Sequence, residues 1–295
     1  MKRIQTFWRT HSSWVSRGAV LVLASQVFLT ISHTFAKLAT HTTSTPVIMF
    51  MRYALPVVIV SGWVMGRHQS LQPIRGFVRS FSWLLVLRGV LGVSSMWFLV
   101  MAFRIGAISR IAFLNATSAL WALLLAMWWL SERPSRWVIG ALLMGLGGMG
   151  LIFHPTSWGL SWADGLALAS AITTAMVFLS LKRLRQTHGS GSIVMGFYVV
   201  GLLTMLPLAL TQTWPTDGVT WGYLVGLSVA GAIGQWCLSE AYHHLPASSV
   251  SGLSMSGVLF FLVSGMLVFG ERLHPIEWAG GMVVLVSVLV ISTRR

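Results

Sequence analysis

The chain has 295 residues, of which 55% are hydrophobic and 9% are charged, and its mean hydropathy is +0.77. Soluble domains carry about 25% charged residues, so this composition excludes a water-soluble fold and indicates a membrane protein. The net charge of +14 does not indicate a nucleic-acid partner, because the basic residues lie in short gaps between apolar runs.

The N-terminal residues 1–17 are basic and precede an apolar run at 18–37. A signal peptide has a similar pattern, but no small-residue cleavage site followed by a soluble domain appears. We therefore predict a cytoplasmic N-terminal segment at 1–17 and a retained first membrane span. The single cysteine, Cys237, lies within an apolar run and excludes an internal disulfide.

Apolar runs of about 20 residues, the length that crosses a bilayer, continue almost to the C terminus. The gaps between them are rich in Pro, Gly, Ser and Thr, and none is long enough for a soluble domain. The sequence predicts an all-α integral membrane protein with no enzymatic activity. We predict ten transmembrane helices, at 18–37, 46–65, 82–103, 107–130, 136–154, 162–182, 193–211, 220–242, 247–268 and 275–292.

The basic residues predict the orientation of these spans. If the N terminus is cytoplasmic, the inner segments hold 14 Lys and Arg residues and the outer segments hold only Lys37, Arg104, Arg110 and Arg272. This asymmetry places both termini in the cytoplasm. Ten tryptophans at predicted span ends are typical of interface anchors: Trp63, Trp83, Trp128, Trp129, Trp137, Trp158, Trp162, Trp214, Trp221 and Trp278.

The second half of the sequence repeats the first at a constant offset. Residues 92–103 align with 231–242, and the Glu-Arg pair at 132–133 aligns with the pair at 271–272. We interpret this as two five-helix halves, 18–154 and 162–292, joined by a linker at 155–161. Because five is odd, the halves enter the membrane with inverted topology, a plan typical of secondary transporters that alternate access to a central cavity. A channel is the less favoured alternative.

Three segments carry a resemblance to a known family: 47–56, 102–148 and 241–291. In these segments the chain resembles an EamA-type transporter of the drug/metabolite transporter superfamily, over nearly its whole length. The resemblance implies ten helices, a central cavity and transport of small organic solutes across the bacterial inner membrane, often amino acids and often outward. Many relatives have proline in the fourth and ninth spans, where this chain has Ala119 and Val258.

Two arginines are candidates for substrate binding. Arg52 lies six residues after Pro46, which places it about 9 Å into its span. A cavity-facing guanidinium could hold a substrate carboxylate, whereas the alternative is a side chain that extends to the outer headgroups. Arg88 is placed similarly from the inner side, with the same two interpretations.

Other candidates are one acid and three tryptophans. Glu240 lies within the predicted span 220–242, close to its inner end, where it could carry a proton, bind an amine or pair with an arginine at the cytoplasmic rim. Trp97, Trp121 and Trp236 do not lie at span ends, so they could stack on an aromatic or cationic solute or pack between helices. His33 is expected to pack in the core or at the interface.

For several sequence motifs we predict no binding or catalytic role. The glycines at 145–150 fit a dinucleotide fingerprint but lie inside an apolar helix, where they indicate close helix packing. The sequon at 115–117 lies within a predicted span, and the histidines after Tyr242 lack identifiable metal-binding partners. The aligned Glu-Arg pairs, Glu132-Arg133 and Glu271-Arg272, are expected to be structural caps at opposite membrane faces.

These observations favour a secondary transporter of a small organic metabolite, with an amino-acid-like solute and export favoured. The alternative is uptake of a vitamin or nucleoside-like compound. The expected partners are this solute, the lipid bilayer and a coupling proton or exchanged solute. We expect no cofactor or metal. The sequence contains no Walker A motif, so ATP is not expected to be the direct energy source. An enzyme would need an acid, base or metal cluster that six scattered acids do not supply. A passive structural subunit would need neither the repeat nor a cavity arginine.

Overall fold

A computed structural model describes residues 2–68, 82–106, 108–129, 135–152, 161–270 and 274–293. All regular secondary structure in these ranges is α-helical, as the composition predicts. The helices are α1 (Lys2–Ala39), α2 (Thr45–His68), α3 (Trp83–Ile105), α4 (Ile108–Ala116), α5 (Ser118–Trp129), α6 (Arg136–Ile152), α7 (Trp162–Leu184), α8 (Ser190–Leu210), α9 (Gly218–His244), α10 (Ala247–Ser254), α11 (Gly257–Phe269) and α12 (Pro275–Thr293).

Five stretches are long and apolar enough to cross a membrane: Arg17–Ala39, Trp83–Ile105, Trp162–Leu184, Ser190–Leu210 and Ala247–Phe269. Shorter apolar helices lie at Thr45–Ile59, Phe113–Trp129, Arg136–Leu151 and Trp278–Ile291. Long apolar helices satisfy every backbone hydrogen bond internally, which lipid requires. The chain is therefore a multi-pass helical membrane protein.

The predicted fourth and ninth spans are each divided into two helices. At the first break, the N–H of Thr117 donates to the carbonyl of Leu114 at 3.2 Å, and at the second, the N–H of Ser256 donates to Leu253 at 3.1 Å. These i to i−3 bonds replace the α-helical pattern locally. The backbone hydrogen bonds after each break also match. The N–H groups of Leu120 and Trp121 donate to the carbonyl of Thr117, and those of Leu259 and Phe260 donate to the carbonyl of Ser256. These residues occupy aligned positions of the repeat.

Two lysines form a second pair of equivalent contacts. Lys37, near the end of α1, donates to the carbonyl of Phe103 at 2.6 Å. Lys182, near the end of α7, donates to the carbonyls of Leu245 at 2.9 Å and Tyr242 at 3.4 Å. Since Tyr242 aligns with Phe103 in the repeat, each lysine binds a carbonyl at the end of the corresponding helix, α3 or α9. A cation at this position satisfies carbonyls that the helix leaves free.

The helices pack reciprocally across the two halves of the sequence. The first helix of each half packs along the third helix of the other, so α1 contacts α9 and α7 contacts α3. The second helices, α2 and α8, contact each other, and so do the last helices, α6 and α12. The interior therefore forms between the two halves.

Helices α6 and α12 meet through small residues, as the glycines at 145–150 predict. A methyl group at Gly148 would lie 2.8 Å from the carbonyl oxygen of Gly280 and 2.9 Å from Val283. One turn earlier, the Ser287 hydroxyl donates to the carbonyl of Ala141 at 2.5 Å, beside Gly145. The absence of side chains lets the two backbones approach closely.

Two acids cap helices at the ends of spans. Asp164 and Ser161 form a reciprocal capping box at the start of α7. Asp217 precedes α9 and accepts from the N–H of Thr220 at 2.7 Å. Hydrogen bonding to Thr220 lowers the pKa of the Asp217 carboxyl. Both carboxylates suit the positive end of the helix dipole.

Candidate functional site

A cavity of about 160 Å³ lies in the interior between the two halves. All the helices except α6 and α12 contribute to it. The lining residues are Gln26, Leu29, Thr30, His33, Arg52, Arg88, Gly92, Ser95, Met96, Leu99, Phe103, Asn115, Ala116, Ser118, Ala119, Thr174, Val177, Phe178, Phe197, Gln235, Leu238, Ser251, Ser254, Met255, Gly257, Val258 and Phe261.

Both breaks in the helices border this cavity. The junction of α4 and α5 contributes Asn115, Ala116, Ser118 and Ala119, and the junction of α10 and α11 contributes Ser254, Met255, Gly257 and Val258. Ala119 and Val258 are the second residues of α5 and α11. A helix interrupted at a cavity exposes backbone groups to a bound solute.

Arg88 is a fully buried cation in the cavity wall. Its Nη2 donates to Oε1 of Gln235 at 3.1 Å, and its guanidinium carbon lies 4.6 Å from the ring centroid of Phe197. Its Nε and Nη1 atoms have no hydrogen-bond partner among the described residues. The ring stabilises the cation through its electron-rich face, but two donors remain available.

Arg52 also lines the cavity, and it is held by a chain of hydrogen bonds. Its Nη1 donates to the hydroxyl of Ser32 at 2.6 Å, and this hydroxyl donates to the carbonyl of Leu227 at 2.6 Å. The side chain is 3% exposed. This relay joins α2 to α1 and α9 and fixes the guanidinium against the wall.

Neutral polar groups line another part of the cavity. The Ser95 hydroxyl lies 2.6 Å from that of Thr174. The Ser170 hydroxyl lies within hydrogen-bond distance of two acceptors, Oδ1 of Asn115 at 3.0 Å and the carbonyl of Ser95 at 2.9 Å. This network joins α3, α4 and α7. Within the described ranges, no Asp or Glu lines the cavity, so its fixed charge comes from the two arginines.

Aromatic rings supply much of the apolar surface of the cavity. Phe103, Phe178, Phe197 and Phe261 line it, and the imidazole of His33 stacks on Phe261 with ring centroids 5.8 Å apart. His33 thus borders the cavity as well as packing against the core. Nowhere in the described ranges do three or more His, Cys, Asp or Glu side chains form a group that could hold a metal.

The three candidate tryptophans lie away from this cavity. Trp97 packs against the buried cluster that contains Val93 and Phe197. Trp121 and Trp236 are 36% and 49% exposed. None of the three lines the cavity.

Glu240 also lies outside the cavity. Its Oε2 accepts from the Ser190 hydroxyl at 2.6 Å and lies 3.6 Å from Nη2 of Arg185, while its Oε1 lies 3.9 Å from Nε2 of His244. The Glu240 side chain is 33% exposed. The geometry thus corresponds to the arginine-paired interpretation. Glu132, Arg133, Glu271 and Arg272 lie outside the described residues.

Sequence reasoning missed several polar residues of the cavity. Gln26, Asn115 and Gln235 are side-chain amides within apolar runs, where polar residues are rare and usually face the interior. That signal was available at all three positions. The lining hydroxyls carry no comparable signal, because Ser and Thr also occur at helix contacts throughout the chain.

Comparison with known proteins agrees with this architecture. Residues 16–154 and 161–293 each match the model of the EamA-like transporter family. Over 94% of the chain, the sequence is 29% identical to a riboflavin transporter of Vibrio cholerae, covering 93% of that protein. Over a similar share, it is 26% identical to the pseudopaline exporter CntI of Pseudomonas aeruginosa, covering 96% of it.

A solved crystal structure shares the fold, with a TM-score of 0.77 over 93% of this chain and 96% of that one. The two sequences are only 13% identical. This likeness therefore concerns the fold alone.

Proposed function

Because this chain belongs to the EamA-like transporter family, within the drug/metabolite transporter superfamily, we propose that it is a secondary transporter of a small organic metabolite. The observation that carries this proposal is the cavity bordered by two interrupted helices, since transporters bind solutes at such interruptions between their halves. The family description and the bacterial relatives support a transporter rather than an enzyme, in the inner membrane of a bacterium.

Transport would proceed by alternating access between two inverted halves of five spans each. Three features support this arrangement: the repeated bonds at Thr117 and Ser256, the equivalent contacts of Lys37 and Lys182, and the reciprocal packing of α1 on α9 and α7 on α3. Related halves that exchange roles give inward-open and outward-open states of similar free energy. The distribution of basic residues favours cytoplasmic termini.

The favoured solute is amino-acid-like, because the cavity combines guanidinium groups with apolar and amide side chains. We favour export, which is frequent in the family. Uptake of a vitamin or nucleoside-like compound is the second candidate, supported by the relative named as a riboflavin transporter. Pockets for drug-sized ligands measure about 300–1,000 Å³, so a cavity of about 160 Å³ suits the smaller solute better.

Counterflow in liposomes tests the transport proposal. Purified protein in preloaded vesicles should accelerate exchange of at least one labelled solute from a panel of amino acids, organic acids, vitamins and nucleosides. Arg52→Ala should reduce that exchange at least tenfold, because it removes a cavity charge and its relay to Ser32. Arg136→Gln, an exposed change on α6 away from the cavity, is the matched control and should leave the rate unchanged. No exchange of any panel solute by folded protein would refute the proposal.

A further inference from the structure

We infer that Arg88, rather than Arg52, binds the carboxylate of the transported solute, and that the cavity selects organic acids without requiring an amine. This inference rests on the proposed transport function and names the chemistry of its site. It follows from the different hydrogen bonding of the two guanidinium groups and from the charges of the described lining residues.

Arg88 has donors to spare. It is fully buried, yet only its Nη2 has a hydrogen-bond partner, the amide oxygen of Gln235. Its Nε and Nη1 are buried without partners among the described residues. A buried donor without a partner is costly, and more so when it is charged. A carboxylate entering the cavity would supply both the missing acceptors and the missing counter-charge.

The surroundings of Arg88 fix its orientation. Phe197 contacts one face of the guanidinium at 4.6 Å, and Gln235 holds one end of it through Nη2. A guanidinium restrained in this way loses little conformational entropy when it binds an anion. Arg88 is therefore positioned before the solute arrives.

Arg52 is held by the protein at one end of its guanidinium. Its Nη1 is engaged by Ser32, whose hydroxyl continues to the carbonyl of Leu227. The backbone of Gly231 approaches so closely that an added methyl group would lie 3.4 Å from the same nitrogen. Arg52 adds positive charge to the cavity, while Arg88 has two buried donor atoms without a partner among the described residues.

The cavity offers no matching charge to a substrate amine. Among the described lining residues none is acidic. Three acids with described side chains are engaged elsewhere: Asp164 caps α7, Asp217 caps α9, and Glu240 binds Ser190 near Arg185. Among the described lining residues, an ammonium group would meet only neutral acceptors and two cations. An acid that lacks the amine should thus bind at least as tightly as the corresponding amino acid.

The apolar lining favours a solute with an apolar body. Phe178, Phe197 and Phe261 lie around the cavity together with Met96 and Leu99. The test therefore uses four probes of similar size: 3-phenylpropionate, its neutral amide 3-phenylpropanamide, the cation 3-phenylpropylamine and the zwitterion phenylalanine. Butyrate and butyramide form a second pair with a smaller body.

Thermal unfolding of the purified full-length protein in detergent reports binding of each probe, because a ligand that binds only the folded state raises the melting temperature. The carboxylate of at least one pair should bind roughly tenfold to a hundredfold more tightly than its amide, as expected for hydrogen bonds to a charged group. Phenylalanine should bind no more tightly than 3-phenylpropionate, and the amine should not bind. Equal binding of acid and amide, stronger binding of the amine, or no binding of either carboxylate would overturn the inference.

Substitutions of Arg88 then test whether its guanidinium binds the carboxylate. Arg88→Gln should abolish the preference for the acid over the amide, and Arg88→Lys, which keeps the charge but not the planar donors, should retain part of it. Arg136→Gln should behave like the unmodified protein. If Arg88→Gln fails to fold, Arg88→Lys and the probe series on the unmodified protein still decide the question. A preference that persists in folded Arg88→Gln would overturn the assignment.

The same preparations separate this inference from the transport proposal. Counterflow of a neutral solute that is insensitive to Arg88→Gln would leave transport intact and refute the carboxylate site. Binding of the acids without counterflow of any solute would support the site and refute transport.

Discussion

Thr117 and Ser256, which occupy aligned positions in the two halves, interrupt their helices with the same backbone hydrogen bonds, and both interruptions border the cavity. Neither break contains a proline. The geometry of both breaks is therefore formed without a proline ring. At the first break, the Thr117 hydroxyl donates to the Leu114 carbonyl at 2.6 Å and satisfies it without an α-helical partner.

A proline should be tolerated at the break between α4 and α5. It should not be tolerated in the interior of α5, a helix turn or more after the break. Ala119 is the second residue of α5, where the missing N–H matters little, and its side chain faces the cavity. Ala126, equally buried, lies in the interior of the same helix. We expect Ala126→Pro to cost about 3 kcal/mol or more and Ala119→Pro to cost much less. Thermal unfolding in detergent measures both, and equal costs would contradict a break at this point.

The contact between α6 and α12 should be sensitive to a single methyl group. Gly148→Ala would place Cβ 2.8 Å from a backbone oxygen, and we expect a destabilisation of about 1–3 kcal/mol from overpacking. Gly147, its neighbour, has nothing within 4 Å of such a methyl group. Gly147→Ala is therefore the control and should be neutral or stabilising, since alanine favours the helix by about 0.5–1 kcal/mol. Unfolding measurements that show the reverse order would contradict the packing.

The two lysines should act in opposite senses on the conformational equilibrium. Lys37→Ala and Lys182→Ala each remove a charged donor from helix-terminal carbonyls, at a cost of about 1.5–3 kcal/mol to the state in which the contact forms. If the halves are inverted, these contacts lie at opposite membrane faces. Labelling of single cysteines introduced near each face measures accessibility. Shifts in opposite directions are expected, whereas shifts in the same direction would argue against inversion.

Glu240 should contribute little to proton coupling. Its carboxylate is one-third exposed and is bound by Ser190 near Arg185, so Glu240→Gln is expected to cost less than about 1 kcal/mol. The dependence of counterflow on pH should be unchanged between pH 6 and 8 in liposomes. A folded Glu240→Gln protein that transports but has lost its response to a proton gradient would identify Glu240 as a coupling residue.

The helical, membrane-spanning character of the chain could be predicted from the sequence, because long apolar runs admit few alternatives in lipid. Close helix packing at 145–150 also followed from the local glycine pattern, although the pattern did not identify α12 as the partner. The breaks at Thr117 and Ser256 could not be predicted, since Ala119 and Val258 carry no helix-breaking signal of their own. Those breaks depend on packing around the cavity, which a local pattern does not contain.

The arginines and tryptophans show the same limit of prediction from a local sequence pattern. Depth within the predicted spans marked Arg52 and Arg88 as candidates, but it could not show that Arg52 is bound by Ser32 while Arg88 has two buried donors without a partner among the described residues. Depth alone also does not set the direction of a side chain around the helix axis. For this reason Trp121 and Trp236, which are far from predicted span ends, can lie on exposed surfaces rather than in the cavity.

The pair of cavity cations has a kinetic consequence. With no acidic group among the described lining residues, an empty carrier must close around two uncompensated charges, which raises its electrostatic self-energy. A bound carboxylate lowers that energy. The loaded protein would therefore reorient faster than the empty one, so the carrier should act as an exchanger, with net flux limited by the return of the empty site.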